Sequence, residues 1–132
     1  TVLSARYGFL DSRSPIQNYD SRLTTALADR MIAGGLATRW PRPPSPRKRD
    51  NYGNSAACEM ASLAEHGDRP FTDVAIVGGH IYLKVMKSFL AAFRDRGYVA
   101  AHASVTEINA PIGIMRQQLG VWLARATEGV DD

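Results

Sequence analysis

The sequence predicts an α/β fold in three layers, a mostly parallel sheet with flanking helices. Two observations lead to it. Val74-Ala75-Ile76-Val77 is a short continuous apolar run, the kind that forms a strand buried on both faces. Gly78-Gly79 follows, then a helical repeat, then a second β-favouring stretch, which together read as strand, turn, helix, strand with a right-handed parallel crossover. Size agrees: 132 residues, 45% hydrophobic and 22% charged, suit one α/β domain over 1–132 with one core.

The elements follow in order. Residues 1–5 are apolar and β-favouring, and Gly8 comes soon after, so they read as a strand entering a turn. A strand at the very start of the chain leads us to expect a further segment of the same domain before Thr1. Residues 12–18 hold Pro15 among Ser, Arg, Gln and Asn, a loop composition that no helix crosses. Asp20 or Ser21 then caps a helix over 22–33, with Leu23, Leu27, Met31 and Ile32 at helical spacing and Gly34-Gly35 ending it.

Residues 40–54 carry four prolines and a cluster of Arg and Lys, which support neither a core strand nor a helix; 39–54 is expected to be an exposed, mobile basic loop. A helix resumes over 55–66 through Ala56, Met60, Leu63 and Ala64, and Gly67 closes it. After a strand over 71–77, the helix over 81–96 repeats Leu83, Met86, Lys87, Leu90 and Phe93 on one side. Gly97 ends it, 98–103 forms the next strand, and a polar crossing leads to a last helix from about 112 to 126. Its stripe of Leu119, Trp122 and Leu123 is core or interface, and 128–132 is a frayed tail.

Charge and cysteine use narrow the function classes. Sixteen Lys and Arg against 13 Asp and Glu give +3, and five of the basic residues crowd into 39–49, so the remainder is nearly neutral. That distribution suits a polyanionic partner. Cys58 is the sole cysteine, so an internal disulfide is excluded, and a reducing, cytoplasmic location is expected. No apolar run approaches the roughly 20 residues of a membrane span. His66, His80 and His102 are widely separated, without paired ligand spacing, so no metal is expected.

The segment 3–20 is the first candidate site. Ser4, Tyr7, Asp11, Ser14, Gln17, Asn18, Tyr19 and Asp20 gather beside Gly8, and in parallel sheets ligands sit beyond the carboxyl ends of strands. The alternative is a structural loop whose Asp and Asn close turns and whose tyrosines plug the core. Gly78-Gly79-His80 at a helix start is a second candidate, for an anion, with a simple tight turn as the alternative. It has neither the lysine of a phosphate-binding loop nor a three-glycine fingerprint, so no cofactor is expected. Arg42, Arg47, Lys48 and Arg49 form a third, able to track a phosphate backbone with Tyr52 or Trp40 stacking on an unpaired base, or simply to be solvated. Arg116, Gln117 and Gln118 are the remaining polar group, and the glutamines would face the segment after the first strand if sheet order allowed.

The string Leu3-Ser4-Ala5-Arg6-Tyr7-Gly8-Phe9-Leu10-Asp11, followed by Pro15-Ile16-Gln17-Asn18-Tyr19-Asp20, resembles the LSAxYGLLDPDxxIxPYD signature of the YaaA-like family of phage and bacterial domains. It is more distantly similar to the uracil-DNA-glycosylase-like domain of archaeosine synthase. Weaker similarity covers 74–82 and 112–123, the latter similar to the family's closing Gly-Gln-Leu-Trp-Leu helix, together about half of the chain. Asn18 stands where the family often has Pro, 39–49 looks like an insertion, and the family's N-terminal strand and helix have no counterpart before Thr1.

The resemblance implies a fold that handles nucleic acid or its bases. Under it, Tyr7, Phe9 and Tyr19 stack on a base, Gln17 and Asn18 meet its edge, and Asp11 or Asp20 orients a water or stabilises an oxocarbenium ion. The leading expectation is therefore a nucleic-acid-binding protein, for DNA more than RNA; a finer reading, left open, is an enzyme that processes a base at an N-glycosidic bond or an exocyclic group. The alternatives are a non-catalytic module that docks a partner, or a second copy, through the basic loop and an open sheet edge, and an enzyme on free nucleotides.

Overall fold

The computed structural model describes residues 2–4, 8–10, 22–41, 52–63 and 69–128. Strands β1 (Val2–Ser4) and β2 (Gly8–Leu10) pair antiparallel, with Val2 opposite Leu10, Leu3 opposite Phe9 and Ser4 opposite Gly8. The opening strand therefore enters a hairpin rather than a parallel sheet, and it buries Leu3 in the core.

Helix α1 (Thr25–Gly34) starts later than residues 20–21 suggest. Thr24 takes the capping role, because its hydroxyl accepts the Leu27 N–H at 3.2 Å and satisfies a donor in the first turn. Gly35 ends it with φ 63°, a left-handed conformation suited to glycine, and donates its N–H to the carbonyls of Met31 and Ile32. A single 3-10 turn, Gly35–Ala37, buries Leu36 and leads onward.

The ends of the proline-rich stretch are not loop. Strand β3 (Arg39–Pro41) pairs antiparallel with β4 (Tyr52–Ser55), Arg39 opposite Ser55 and Pro41 opposite Tyr52. Trp40 packs against the core, which gives this ribbon an apolar anchor, and Pro41 sits at its end, where a missing N–H is tolerated. The residues between, 42–51, lie outside those described. Helix α2 (Ala56–Leu63) begins directly at β4, with the Ser55 hydroxyl accepting the Cys58 N–H at 3.3 Å as its cap. The expected continuation to His66 and Gly67 falls outside the described residues.

The β5–α3–β6 unit forms as predicted in order and direction. Strand β5 (Phe71–Val77) runs parallel to β6 (Val99–Ile108), with Val74 beside Val105 and Ile76 beside Glu107, and helix α3 (His80–Asp95) joins them. The 16-residue helix buries Leu83, Val85, Phe89, Leu90 and Phe93. Strand β6 reaches Ile108 rather than stopping at Ala103; its register slips between Val99 and Ser104, and Arg94 donates to the Ala103 carbonyl at 3.1 Å within that irregular stretch. Within β5 only Ile76, 6% exposed, is buried, so the strand is not covered throughout on both faces.

Helix α4 (Ile112–Glu128) completes a local three-layer arrangement. Side chains alternate across a strand, so Glu107, ion-paired to Lys87 of α3, points to α3 and Thr106 and Ile108 to the α4 side, where residues 106–108 border a groove with α4. The mixed α/β class is plain, but among the described residues the strands fall into three two-stranded sheets rather than one mostly parallel sheet. Within each sheet the connection fits the pairing: three residues separate the antiparallel strands β1 and β2, whereas α3 joins the parallel strands β5 and β6 as a crossover. One cluster unites Leu3, Met31, Leu36, Ala56, Phe89 and Val99, drawn from the hairpin, α1, the 3-10 turn, α2, α3 and β6.

Candidate functional site

Two regions bring polar groups together. The first lies at the carboxyl ends of β5 and β6. Gly78 leaves β5 with φ 156°, which side chains rarely adopt, and its N–H donates to the Ile108 carbonyl at 3.1 Å, holding the two strand ends level. Gly79 is the N-cap of α3, with no side chain to cap it and no acidic residue in the first turn. The positive end of the helix dipole therefore opens at the strand ends, where α/β folds place ligands.

His80, Lys84 and Lys87 follow at helical spacing on the same side of α3, opposite Glu107 and Asn109 of β6 and its end. These five residues and Leu83 line a cavity of about 490 Å³. Lys87 Nζ lies 2.8 Å from Glu107 Oε1, and Lys84 Nζ lies 3.2 Å from Asp29 Oδ1 of α1. Asn109 Nδ2 lies 3.1 Å from both ring nitrogens of His80 and donates to whichever carries no proton. The ion-paired side chains are 46–59% exposed, so each pair contributes at most about 1 kcal/mol and yields readily to a more highly charged anion.

The second region is the β3–β4 ribbon. Its end brings Pro41 against Tyr52, so residues 42–51 leave and return at one point. Arg39 braces that point: Nε donates to the Gly53 carbonyl at 2.9 Å and Nη2 to the Tyr52 carbonyl at 3.0 Å. Tyr52 is 53% exposed at the base of the basic segment. Trp40, expected as an alternative stacking ring, turns into the core instead.

Of the residues singled out from sequence, Gly78 and Gly79 stand at the crevice, and Ser4 and Gly8 face each other as the last pair of the β1–β2 hairpin. Because β1 is antiparallel, Ser4 does not lie at the carboxyl end of a parallel strand, and that argument for a pocket there fails. Tyr7, Asp11, Gln17, Asn18, Tyr19, Asp20, Arg42, Arg47, Lys48 and Arg49 lie outside the described residues. Gln117 and Gln118 line the groove between α4 and β6 with Thr106 and Arg125; residues 5–7 and 11–21 of the segment they were expected to face lie outside those described. Lys84, Lys87, Glu107 and Asn109 were not expected; the signal for the lysines is their spacing of four and seven from His80.

Among the described residues, no three His, Cys, Asp or Glu side chains gather as metal ligands, and no helix is long and apolar enough to cross a membrane. No protein-family model, curated protein or solved structure matches the chain.

Proposed function

We propose that the chain binds nucleic acid, DNA in preference to RNA, through the basic segment carried by the β3–β4 ribbon. The observation that supports this most is the closure of the ribbon at Pro41 and Tyr52, which joins Arg42, Arg47, Lys48 and Arg49 to an exposed aromatic ring. The four cations neutralise phosphates and release their counterions, while Tyr52 stacks on an unpaired base. Residues 42–51 hold these four cations and Asp50, a net +3 equal to that of the whole chain, so the rest is neutral and the attraction is concentrated on this segment.

The YaaA-like motif over 3–20 supports a finer reading, that a base is processed with Asp11 or Asp20 as the acidic group and Tyr7 and Tyr19 as stacking partners. Anisotropy titrations with short labelled single- and double-stranded DNA test binding. Tyr52→Ala is expected to weaken the single strand by about 1–3 kcal/mol and the duplex far less. Base release or modification is tested with Asp11→Asn and Asp20→Asn; activity unchanged in both rejects the catalytic role.

A second reading, action on free nucleotides, draws support from the crevice, where Lys84 and Lys87 adjoin the N-terminus of α3. Thermal stabilisation by mononucleotides that Lys84→Ala removes, without DNA affinity, would favour it.

A further inference from the structure

We propose that the cavity bordered by β5, α3 and α4 binds a small organic amine, with the apolar body of the molecule inside and its ammonium group at Asp73. The cavity measures about 340 Å³, within the range of about 300–1,000 Å³ that small-molecule pockets occupy. Met60 of α2, Met86 of α3, Val99 of β6 and Trp122 of α4 line it together with β5, so several elements of the fold build one enclosure.

Its lining is graded from dry to wet. Ile76, Phe89, Leu90, Phe93 and Val99 are buried, each 8% exposed or less, and form the dry side. Phe71, 39% exposed, and the exposed Asp73 mark the side open to water. Such a gradient suits an amphipathic molecule, because an apolar body gains by leaving water and a charged head does not.

The polar end selects a cation. Among the described residues Asp73 supplies the one charged side chain lining the cavity, and no ion pair or hydrogen bond engages its carboxylate. Phe71 and Trp122 line the same space, and the faces of aromatic rings attract ammonium groups. An anionic ligand would meet the Asp73 charge with no lining cation to offset the repulsion. The body of the ligand is accommodated separately: Phe89 and Phe93 offer further rings, and the unbranched thioethers of Met60 and Met86 adapt to an aromatic outline. The cavity shares no lining residue with the crevice of Lys84 and Lys87, whose charge has the opposite preference.

Calorimetric titration of the full chain with naphthylethylamine, naphthylethanol and naphthylacetate tests this, because the three share one apolar body and differ in the charge of the head. The amine is expected to bind about tenfold tighter than the alcohol, the combined effect of an exposed ion pair and a cation–π contact, and the acetate more weakly than the alcohol. Asp73 is exposed, so Asp73→Asn leaves the fold intact. In that chain the alcohol is expected to bind as before and the amine to keep an advantage of only about two- to threefold. In nitrogen-edited NMR spectra the Trp122 indole signal, identified by its loss in Trp122→Phe, is expected to move as the amine is added. Amine binding no tighter than that of the alcohol, equal amine affinity in the native and Asp73→Asn chains, or a Trp122 signal unmoved at saturation overturns the proposal. Absence of amine binding up to millimolar concentration, the outcome if the chain's own segments fill the cavity, overturns it as well.

Discussion

The β5–α3–β6 unit and the β3–β4 ribbon are held together by different means. In the first, a helix with five buried apolar residues covers a parallel strand pair, and its Val85 is fully buried. In the second, a short irregular ladder is held by Trp40 packing on the core and by the Arg39 guanidinium on two carbonyls. Apolar burial is worth roughly 1.5–3 kcal/mol per large side chain, whereas an exposed hydrogen bond nets about 1 kcal/mol. The unit therefore fixes the fold, and the ribbon is free to carry recognition with little effect on stability.

Substitutions sharpen that contrast. The largest effect is expected in α3: Phe89→Ala should cost about 3–5 kcal/mol in denaturant-induced unfolding, since it removes a buried ring and leaves a cavity. Gly78→Val should cost about 1–3 kcal/mol through backbone strain at φ 156°. Ser55→Ala, which strips the cap of α2, should cost about 1 kcal/mol. Arg39→Ala should cost no more than about 1 kcal/mol for each of the two exposed hydrogen bonds it removes while lowering DNA affinity, because it loosens the base of the basic segment. A loss of several kcal/mol on Arg39→Ala would break the contrast and make the ribbon part of the folding core.

The same contrast explains what was legible in sequence. Apolar runs and glycine punctuation mark β5, α3 and the turn at Gly78-Gly79 within a residue or so, because burial imposes a period on the sequence. The end of β6 was missed because Ser104, Thr106 and Glu107 read as a polar crossing, although Val105 and Ile108 between them pack inward or are half-buried. Glu107 and Asn109 were lost with it, and Lys87 read as part of the repeating stripe of α3. The ribbon was hidden by its prolines: Arg39-Trp40-Pro41 pairs with residues 52–55 across ten intervening positions, and no local period announces such a contact. At the hairpin, Gly8 read as a turn before a loop, whereas it begins the returning strand opposite Ser4.

The most direct measurement is the salt dependence of DNA affinity for the native chain and for one with Arg42, Arg47, Lys48 and Arg49 changed together to Gln. The native chain is predicted to lose affinity steeply with salt, and the changed chain to show a log–log slope shallower by about 3–4 on duplex, near one unit per cation removed. Equal slopes for the two chains, or an affinity indifferent to salt, would contradict recognition through the ribbon.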